Sequence, residues 1–376
     1  MDQPENGLKL RILVAPLDWG LGHATRCVPL IRCLRSLGAE PVIAAGGAPA
    51  RLLRAEFPSL EWVDLEGYGV RYASRRWLLA WTMGRQIPKI LSRIQHENQR
   101  LRILVEERRI DGLISDNRFG LHHPTLPTVF LTHQLRIRTG MGRLADDALQ
   151  RLNYRYINRF SECWVPDSPE APGLAGALSH PAKLPRVPVR YVGPLSRMMA
   201  GQSSGGSGLL VLLSGPEPQR SLLESLIMAQ LRATGRPATL VRGLPGEAAI
   251  PDPDPSVRVF NHLPAAELQQ ELQRAEWILA RSGYSTVMDL AALGKKSILI
   301  PTPGQTEQEY LARHLMAAGW AYTTNQQGFN LEQALTAAQE FDYRPFPLAS
   351  SQLDRTVEAW LTRIIGNRGR EIKNKE

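Results

Sequence analysis

The chain has 376 residues, 43% of them hydrophobic and 22% charged, with 31 glycines and 28 prolines. That length suits two domains of about 150–200 residues, and the composition excludes intrinsic disorder and collagen-like structure. The formal charge of +9 lies entirely in the first half, because residues 1–195 hold 27 Lys and Arg against 18 Asp and Glu while residues 196–376 hold 18 of each.

Leu10–Leu17 reads as a strand, His23–Leu37 as an amphipathic helix, Pro41–Ala45 as a strand and Arg51–Glu56 as part of a further helix. Gly112–Ser115, Thr128–Thr132 and Cys163–Val165 are strand-like. The Gly- and Ser-rich run 199–208 has the composition of a flexible linker. Beyond it, Leu209–Leu213, Thr239–Arg242, Val257–Asn261, Trp277–Ala280 and Ser297–Ile300 read as strands, each followed by a loop or a helix pattern. Strands alternating with helices on both sides of the linker predict an α/β chain of parallel βαβ units. Cys27, Cys33 and Cys163 have neither metal-binding spacing nor an even number for disulfides, and read as reduced. No apolar run approaches the roughly 20 residues of a membrane span, and Met1–Asn6 lacks the character of a signal peptide, so a cytoplasmic location is expected.

The first strand runs into Asp18-Trp19-Gly20-Leu21-Gly22-His23-Ala24-Thr25-Arg26 and then a helix. Such a turn lies at the carboxyl edge of a parallel sheet, where ligands bind and glycines let a phosphate or substrate approach the backbone. It departs from the dinucleotide fingerprint: Thr25 replaces the third glycine, and the next strand ends in Ala44-Ala45-Gly46-Gly47 with no acidic residue for a ribose. His23 sits against the positive end of a helix dipole, which favours a neutral imidazole able to act as a base. Its plainer reading is a helix cap or a packing partner of Trp19. Asp116 and the pair His133-Gln134 follow two further strands and should face the same edge. Asp116 reads either as a carboxylate orienting His23 or as a turn aspartate bonding its own backbone.

The densest polar pattern is Arg281-Ser-Gly-Tyr-Ser-Thr-Val-Met-Asp289, followed by Pro301-Thr-Pro-Gly-Gln-Thr-Glu-Gln308-Glu309-Tyr310. A strand delivers Ser282-Gly283 to a helix beginning near Tyr284, whose free N–H groups form an anion site suited to a diphosphate. Asp289, beyond the first turn, has the carboxylate that vicinal ribose hydroxyls require. Gln305, Gln308 and Glu309 open the next helix with the groups that sugar hydroxyls require. Singly these residues read as an N-cap and helix surface; together they favour a ligand site.

Those two segments with Gly20-Leu-Gly-His23-Ala-Thr-Arg26 resemble a glycosyltransferase of the GT-B fold, and most nearly family 28, which includes the enzyme adding N-acetylglucosamine to the lipid-linked cell-wall precursor. The resemblance covers both halves and is stronger in the second. It implies two Rossmann-like domains facing a central cleft: 1–198 on the acceptor side, a linker at 199–208, a nucleotide-sugar domain at 209–349, and residues 350–376 as a helix crossing back to the first domain with a polar tail. It implies inverting transfer from a nucleotide sugar, usually a UDP sugar. Asp289 matches the acidic residue that holds the ribose, and Gln308 and Glu309 match the pair that holds the donor sugar. His23 matches the histidine near the acceptor hydroxyl and donor phosphate, and Phe260-Asn261-His262-Leu263 lies where the base is read. Leu213-Ser214-Gly215-Pro216-Glu217 departs from the family's glycine-rich loop, since Pro216 lacks an N–H.

The expected donor-binding set is therefore Gly22, Ser214, Gly215, His262, Leu263, Arg281, Ser282, Gly283, Tyr284, Ser285, Thr286, Asp289, Gln305, Gln308 and Glu309, with His23 and Asp116 catalytic and His133 and Gln134 on the acceptor side. No metal or resident cofactor is expected, and Asp252-Pro253-Asp254 reads as a surface loop. The segment 71–89 interleaves Trp77, Leu78, Leu79, Trp81 and Met83 with basic residues, the pattern either of a membrane-surface anchor, suited to a lipid-linked acceptor on the cytoplasmic face, or of an ordinary core helix. A nucleotide-sugar 2-epimerase on the same fold and a basic nucleic-acid-binding protein stand as alternatives, though the latter leaves the second-half pattern unexplained and nucleic acid is not expected as a partner.

Overall fold

A computed structural model describes residues 9–68, 76–199, 206–246, 255–347 and 351–373; the side chains of 76–87 and 369–373 lie outside that description. The Trp77–Met83 side chains, most of the Gly/Ser run and Asp252-Pro253-Asp254 therefore fall outside the described residues.

The first half contains β1 (Arg11–Pro16), α1 (Leu21–Ser36), β2 (Glu40–Ala45), α2 (Gly47–Glu56), β3 (Glu61–Asp64), α3 (Arg76–Arg108), β4 (Gly112–Asp116), β5 (Thr128–Leu131), α4 (Arg143–Ile157), β6 (Glu162–Val165) and β7 (Val189–Tyr191). Its seven strands lie in the order β3-β2-β1-β4-β5-β6-β7, every adjacent pair parallel. Ile12, Leu13, Val14 and Ala15 in β1 are fully buried, as a central strand covered on both faces requires. Strand order reverses between β1 and β4, opening a crevice beyond their carboxyl ends.

The second half contains β8 (Leu209–Leu212), α5 (Gln219–Thr234), β9 (Ala238–Val241), β10 (Val257–Phe260), α6 (Ala265–Arg274), β11 (Trp277–Ala280), α7 (Tyr284–Leu293), β12 (Ser297–Leu299), α8 (Thr306–Ala317), β13 (Tyr322–Thr323), α9 (Leu331–Glu340) and α10 (Leu353–Lys373). Its parallel sheet has the order β10-β9-β8-β11-β12-β13, with the same reversal between β8 and β11. The two crevices face each other, and α1 and α7 meet across them.

Helix α10 packs on the first sheet. The Trp360 ring lies edge-on to Trp164 at 5.7 Å, Arg363 bonds Glu162, and Arg368 reaches Asp111 at 3.2 Å. A Cβ on Gly112 would come within 2.7 Å of the Trp360 ring, so that close approach depends on a missing side chain. One apolar cluster runs through α1, α7 and α10 and joins the two halves.

Candidate active site

The turn after β1 brings the chain into α1 through Gly20, whose φ of 118° is open only to glycine at low cost. The helix starts at Leu21, so His23 lies within its first turn rather than capping it. Its Nδ1 is 3.2 Å from Asp116 Oδ1, so the imidazole neither caps the helix nor depends on Trp19, which packs edge-on to Tyr68. Asp116 is the last residue of β4 rather than part of the following turn, and it is fully buried.

Arg26, one turn beyond His23, grips both oxygens of that carboxylate: Nε donates to Oδ2 at 2.7 Å and Nη2 to Oδ1. Burial pushes the Asp116 carboxyl up, but the Arg26 charge and then His23 outweigh it and hold the pKa at about 2. For His23 burial is the largest influence and lowers the pKa, with Asp116 opposing and Arg26 assisting. His23 is therefore neutral near pH 7.

Arg26 extends the cluster to His133, whose Nδ1 lies 3.1 Å from Nη1. The other face of the cleft meets it there. His133 Nε2 is 2.7 Å from Glu307 Oε1 on α8, Gln134 donates to Glu307 Oε2, and the Tyr284 ring stacks on His133 at 4.2 Å. The Tyr284 hydroxyl donates to the carbonyl of Pro166 at 2.8 Å, and Ser285 Oγ donates to that of Gly22 at 2.8 Å. A Cβ on Gly22 would meet that Oγ at 2.8 Å, so glycine is what lets α1 and α7 approach this closely.

Helix α7 begins after Gly283, and its N-terminus has no side-chain cap among the described residues. Ser282 is not that cap, because its hydroxyl donates to the carbonyl of Gln308 at 2.9 Å. Gly283, Ser285 and Thr286 keep partial solvent access. Beside them, Arg281 is fully buried and meets only carbonyls, those of Gln219 at 2.8 Å, Pro301 at 3.3 Å and Ile300 at 3.4 Å. Its Nε has no partner among the described residues, and burial lowers its pKa to about 10. Ser214 and Gly215 follow β8, with Gly215 exposed at φ 107° and close to Thr302.

Gln308 is buried, its Oε1 accepting from the Thr302 N–H at 2.9 Å and its Nε2 donating to Gln305 Oε1 at 2.6 Å. Glu309 Oε1 accepts from the Gly304 N–H at 3.0 Å. Asp289 is only 7% exposed, accepts from Ser196 Oγ at 2.6 Å and lies 3.9 Å from Arg197 Nε. Burial raises its pKa against the opposing Arg197 charge and Ser196 bond. Arg197 Nε and Nη1 are buried without a hydrogen-bond partner among the described residues. His262 is half-buried nearby, its pKa lowered by burial and then by Arg197, while Leu263 is in the core.

Sequence reading did not single out Arg26, Glu307 and Arg197. Arg26 carried a legible signal, being three residues from His23 on one helix face. Glu307 and Arg197 act across the two halves, which no local pattern reveals.

Residues 254–359 match the family description "Glycosyltransferase family 28 C-terminal domain". An N-acetylglucosamine transferase from Rhodopseudomonas palustris, named as acting on UDP-N-acetylglucosamine and a pyrophosphoryl-undecaprenol acceptor, is 28% identical over 56% of this chain, and the match spans 60% of that relative's length. The same-named protein of a Methylobacterium species is 26% identical over 88% of both chains. Among solved structures, the kitacinnamycin glycotransferase superposes with a TM-score of 0.61 at 16% identity, covering 95% of this chain and 94% of that one. Acinetobacter baumannii MurG gives 0.55 at 15% identity, covering 94% and 99%. With two parallel Rossmann-like sheets facing one cleft, the chain has the GT-B fold of the glycosyltransferases and resembles family 28 among them.

Proposed function

We propose that this chain transfers a hexosyl group, with inversion and without a metal ion, from a nucleotide sugar of the UDP type to the hydroxyl of an acceptor, a lipid-linked one on the cytoplasmic face of a membrane. The observation that carries the reading is the pairing across one cleft of a neutral, carboxylate-backed histidine, His23, with a helix start that, among the described residues, has no side-chain cap and lies beside a buried arginine without a carboxylate partner, Arg281.

The acceptor oxygen attacks the anomeric carbon from the face opposite the diphosphate, so a C–O bond forms as the bond from that carbon to phosphate oxygen breaks. The leaving diphosphate keeps the electron pair, and the acceptor proton passes to His23 Nε2. Asp116, held ionised by Arg26, stabilises the imidazolium that results. The α7 N–H groups and Arg281 meet the growing charge on the leaving oxygen. Those fixed donors make a divalent cation unnecessary. Asp289 and Arg197 hold the ribose and its neighbouring phosphate, Gln305, Gln308 and Glu309 hold the sugar, and the backbone at His262 and Leu263 reads the base. Ser214 and Gly215 contribute what Pro216 cannot.

The acceptor class is supported by the names of the sequence relatives and by the basic first half, which suits an anionic surface. Among the described residues, no helix is long and apolar enough to cross a membrane. A 2-epimerase would require carboxylates free for acid and base work, whereas Asp116 and Glu307 are each held by cationic or histidine partners.

A panel of UDP, GDP and TDP sugars tests the reading by thermal shift and product analysis. A UDP sugar is expected to raise the melting temperature, because a ligand that binds the folded state stabilises it. His23→Ala is expected to keep that rise while turnover falls by roughly 10²–10⁴-fold, the usual worth of a positioned base. No stabilisation by any sugar nucleotide would overturn the assignment.

A further inference from the structure

Arg26 stands among four hydrogen-bonding groups, and a guanidinium has N–H donors only. Its Nε–H goes to Asp116 Oδ2 and one Nη2–H to Asp116 Oδ1. The remaining contacts are to ring nitrogens: Nη2 is 2.8 Å from His23 Nδ1 and Nη1 is 3.1 Å from His133 Nδ1. Each ring nitrogen must then be the acceptor, which leaves the proton of each neutral imidazole on Nε2.

His133 provides an independent check. Its Nε2 lies 2.7 Å from Glu307 Oε1, an acceptor-only carboxylate, so that nitrogen must be protonated, as the contact on the opposite side of the ring already requires. For His23 a competing partner exists, since Asp116 Oδ1 is 3.2 Å from Nδ1 and would favour a proton there. An Nδ1–H would, however, oppose the Arg26 Nη2 donor, which at 2.8 Å is nearer to Nδ1 than the carboxylate oxygen is. The groups facing His23 are thus Arg26 on α1, Asp116 on β4, His133 after β5 and Glu307 on α8.

We propose that Arg26 is a positioning residue that holds His23 as its Nε2–H tautomer in this conformation, so that base function begins only when Arg26 releases Nδ1 and Asp116 takes a proton-bearing Nδ1 in its place. The exchange conserves one proton, which leaves Nε2 for solvent while another arrives at Nδ1. In the resting arrangement His23 presents a donor to the cleft; in the switched one it presents a lone pair to the acceptor hydroxyl. Only the consequence for catalysis rests on the proposed transferase reading; the tautomer assignment does not.

Nitrogen-15 NMR of the full chain with labelled histidine, near neutral pH and without sugar nucleotide, tests the assignment, with His23→Gln and His133→Gln identifying the resonances. Unprotonated Nδ1 and protonated Nε2 are expected for both rings. A protonated His23 Nδ1 overturns the proposal, and His23→Asn supplies the assignment if His23→Gln fails to fold. In Arg26→Met, His23 should switch to the Nδ1–H form and titrate at higher pH than in wild type, because the Arg26 charge that lowers its pKa is gone while Asp116 remains; Arg26→Lys should return the spectrum toward wild type. Unchanged His23 signals in a folded Arg26→Met protein also overturn it. Absence of sugar transfer beside the expected spectrum would count against the transferase reading alone.

Discussion

The two crevices share a topology and treat their polar groups in opposite ways. At the first, His23, Arg26, Asp116 and His133 satisfy one another, with every guanidinium contact matched to an acceptor. At the second, Arg281 Nε, Thr302 Oγ1 and both Arg197 Nε and Nη1 are buried without hydrogen-bond partners among the described residues, although Arg197 Nε lies 3.9 Å from Asp289. Buried polar atoms left without hydrogen-bond partners cost about 1–3 kcal/mol each, a cost that the proposed donor substrate would offset by bonding to them. One edge is a closed hydrogen-bond network, and the other keeps buried groups unmatched among the described residues.

Arg281→Met is the strongest way to break that contrast. The substitution keeps length and apolar stem while removing a buried charge that meets only carbonyls. If the guanidinium serves the departing diphosphate, turnover should fall roughly 10²–10³-fold, the usual worth of one preorganised donor to transition-state charge. The melting temperature should fall as well, because the buried carbonyls of Gln219, Ile300 and Pro301 lose their donor, so turnover is read per folded molecule. A large loss of melting temperature with turnover per folded molecule preserved would make Arg281 a structural strut.

Asp289→Asn sharpens the comparison at the ribose end. The amide keeps the shape and can still accept from Ser196, so the fold should persist. Losing a charged acceptor for the ribose hydroxyls should weaken donor affinity by about 10–150-fold by calorimetry, the range for hydrogen bonds to charged groups. Unchanged affinity would confine Asp289 to bracing the segment at Ser196 and Arg197.

Much of this contrast could be read from residue order. The glycine turn into α1 and the start of α7 are local events, in which an apolar strand, a glycine and a polar helix start occur in sequence, and both elements form as that order predicts. Strands β3, β7 and β13 were not legible: each is at most four residues long, and Glu61, Asp64 and Arg190 interrupt any apolar run. Helix α3 showed itself only through its tryptophan-bearing start, because 33 residues with Pro88 inside carry no single clean period. The site divides the same way. Asp116 ends a strand and His23 lies in the first turn of the helix after one, places that sequence can fix, whereas Glu307 sits between Gln305 and Gln308 yet turns to the other half, a direction set by how the two sheets dock.

Acid titration offers the smallest and most discriminating contrast, because the two buried aspartates respond with opposite sign. Asp116 is depressed to about 2, so its contribution is present above the ordinary carboxylate range and is lost as pH falls from about 4 toward 2, a change of about 2 kcal/mol. His23 adds to that loss, since its lowered pKa lets the unfolded chain take a proton first as pH drops below 6.5. Asp289 is raised, so as pH falls through its raised pKa toward the ordinary carboxylate value the folded state takes its proton before the unfolded chain, and acidification through that window stabilises. Urea midpoints measured from pH 7 to pH 3 should therefore fall less steeply in Asp116→Asn than in wild type, and more steeply in Asp289→Asn. Parallel slopes for all three proteins would mean that neither carboxylate differs from its unfolded counterpart, removing the electrostatic distinction between the closed edge and the unmatched one.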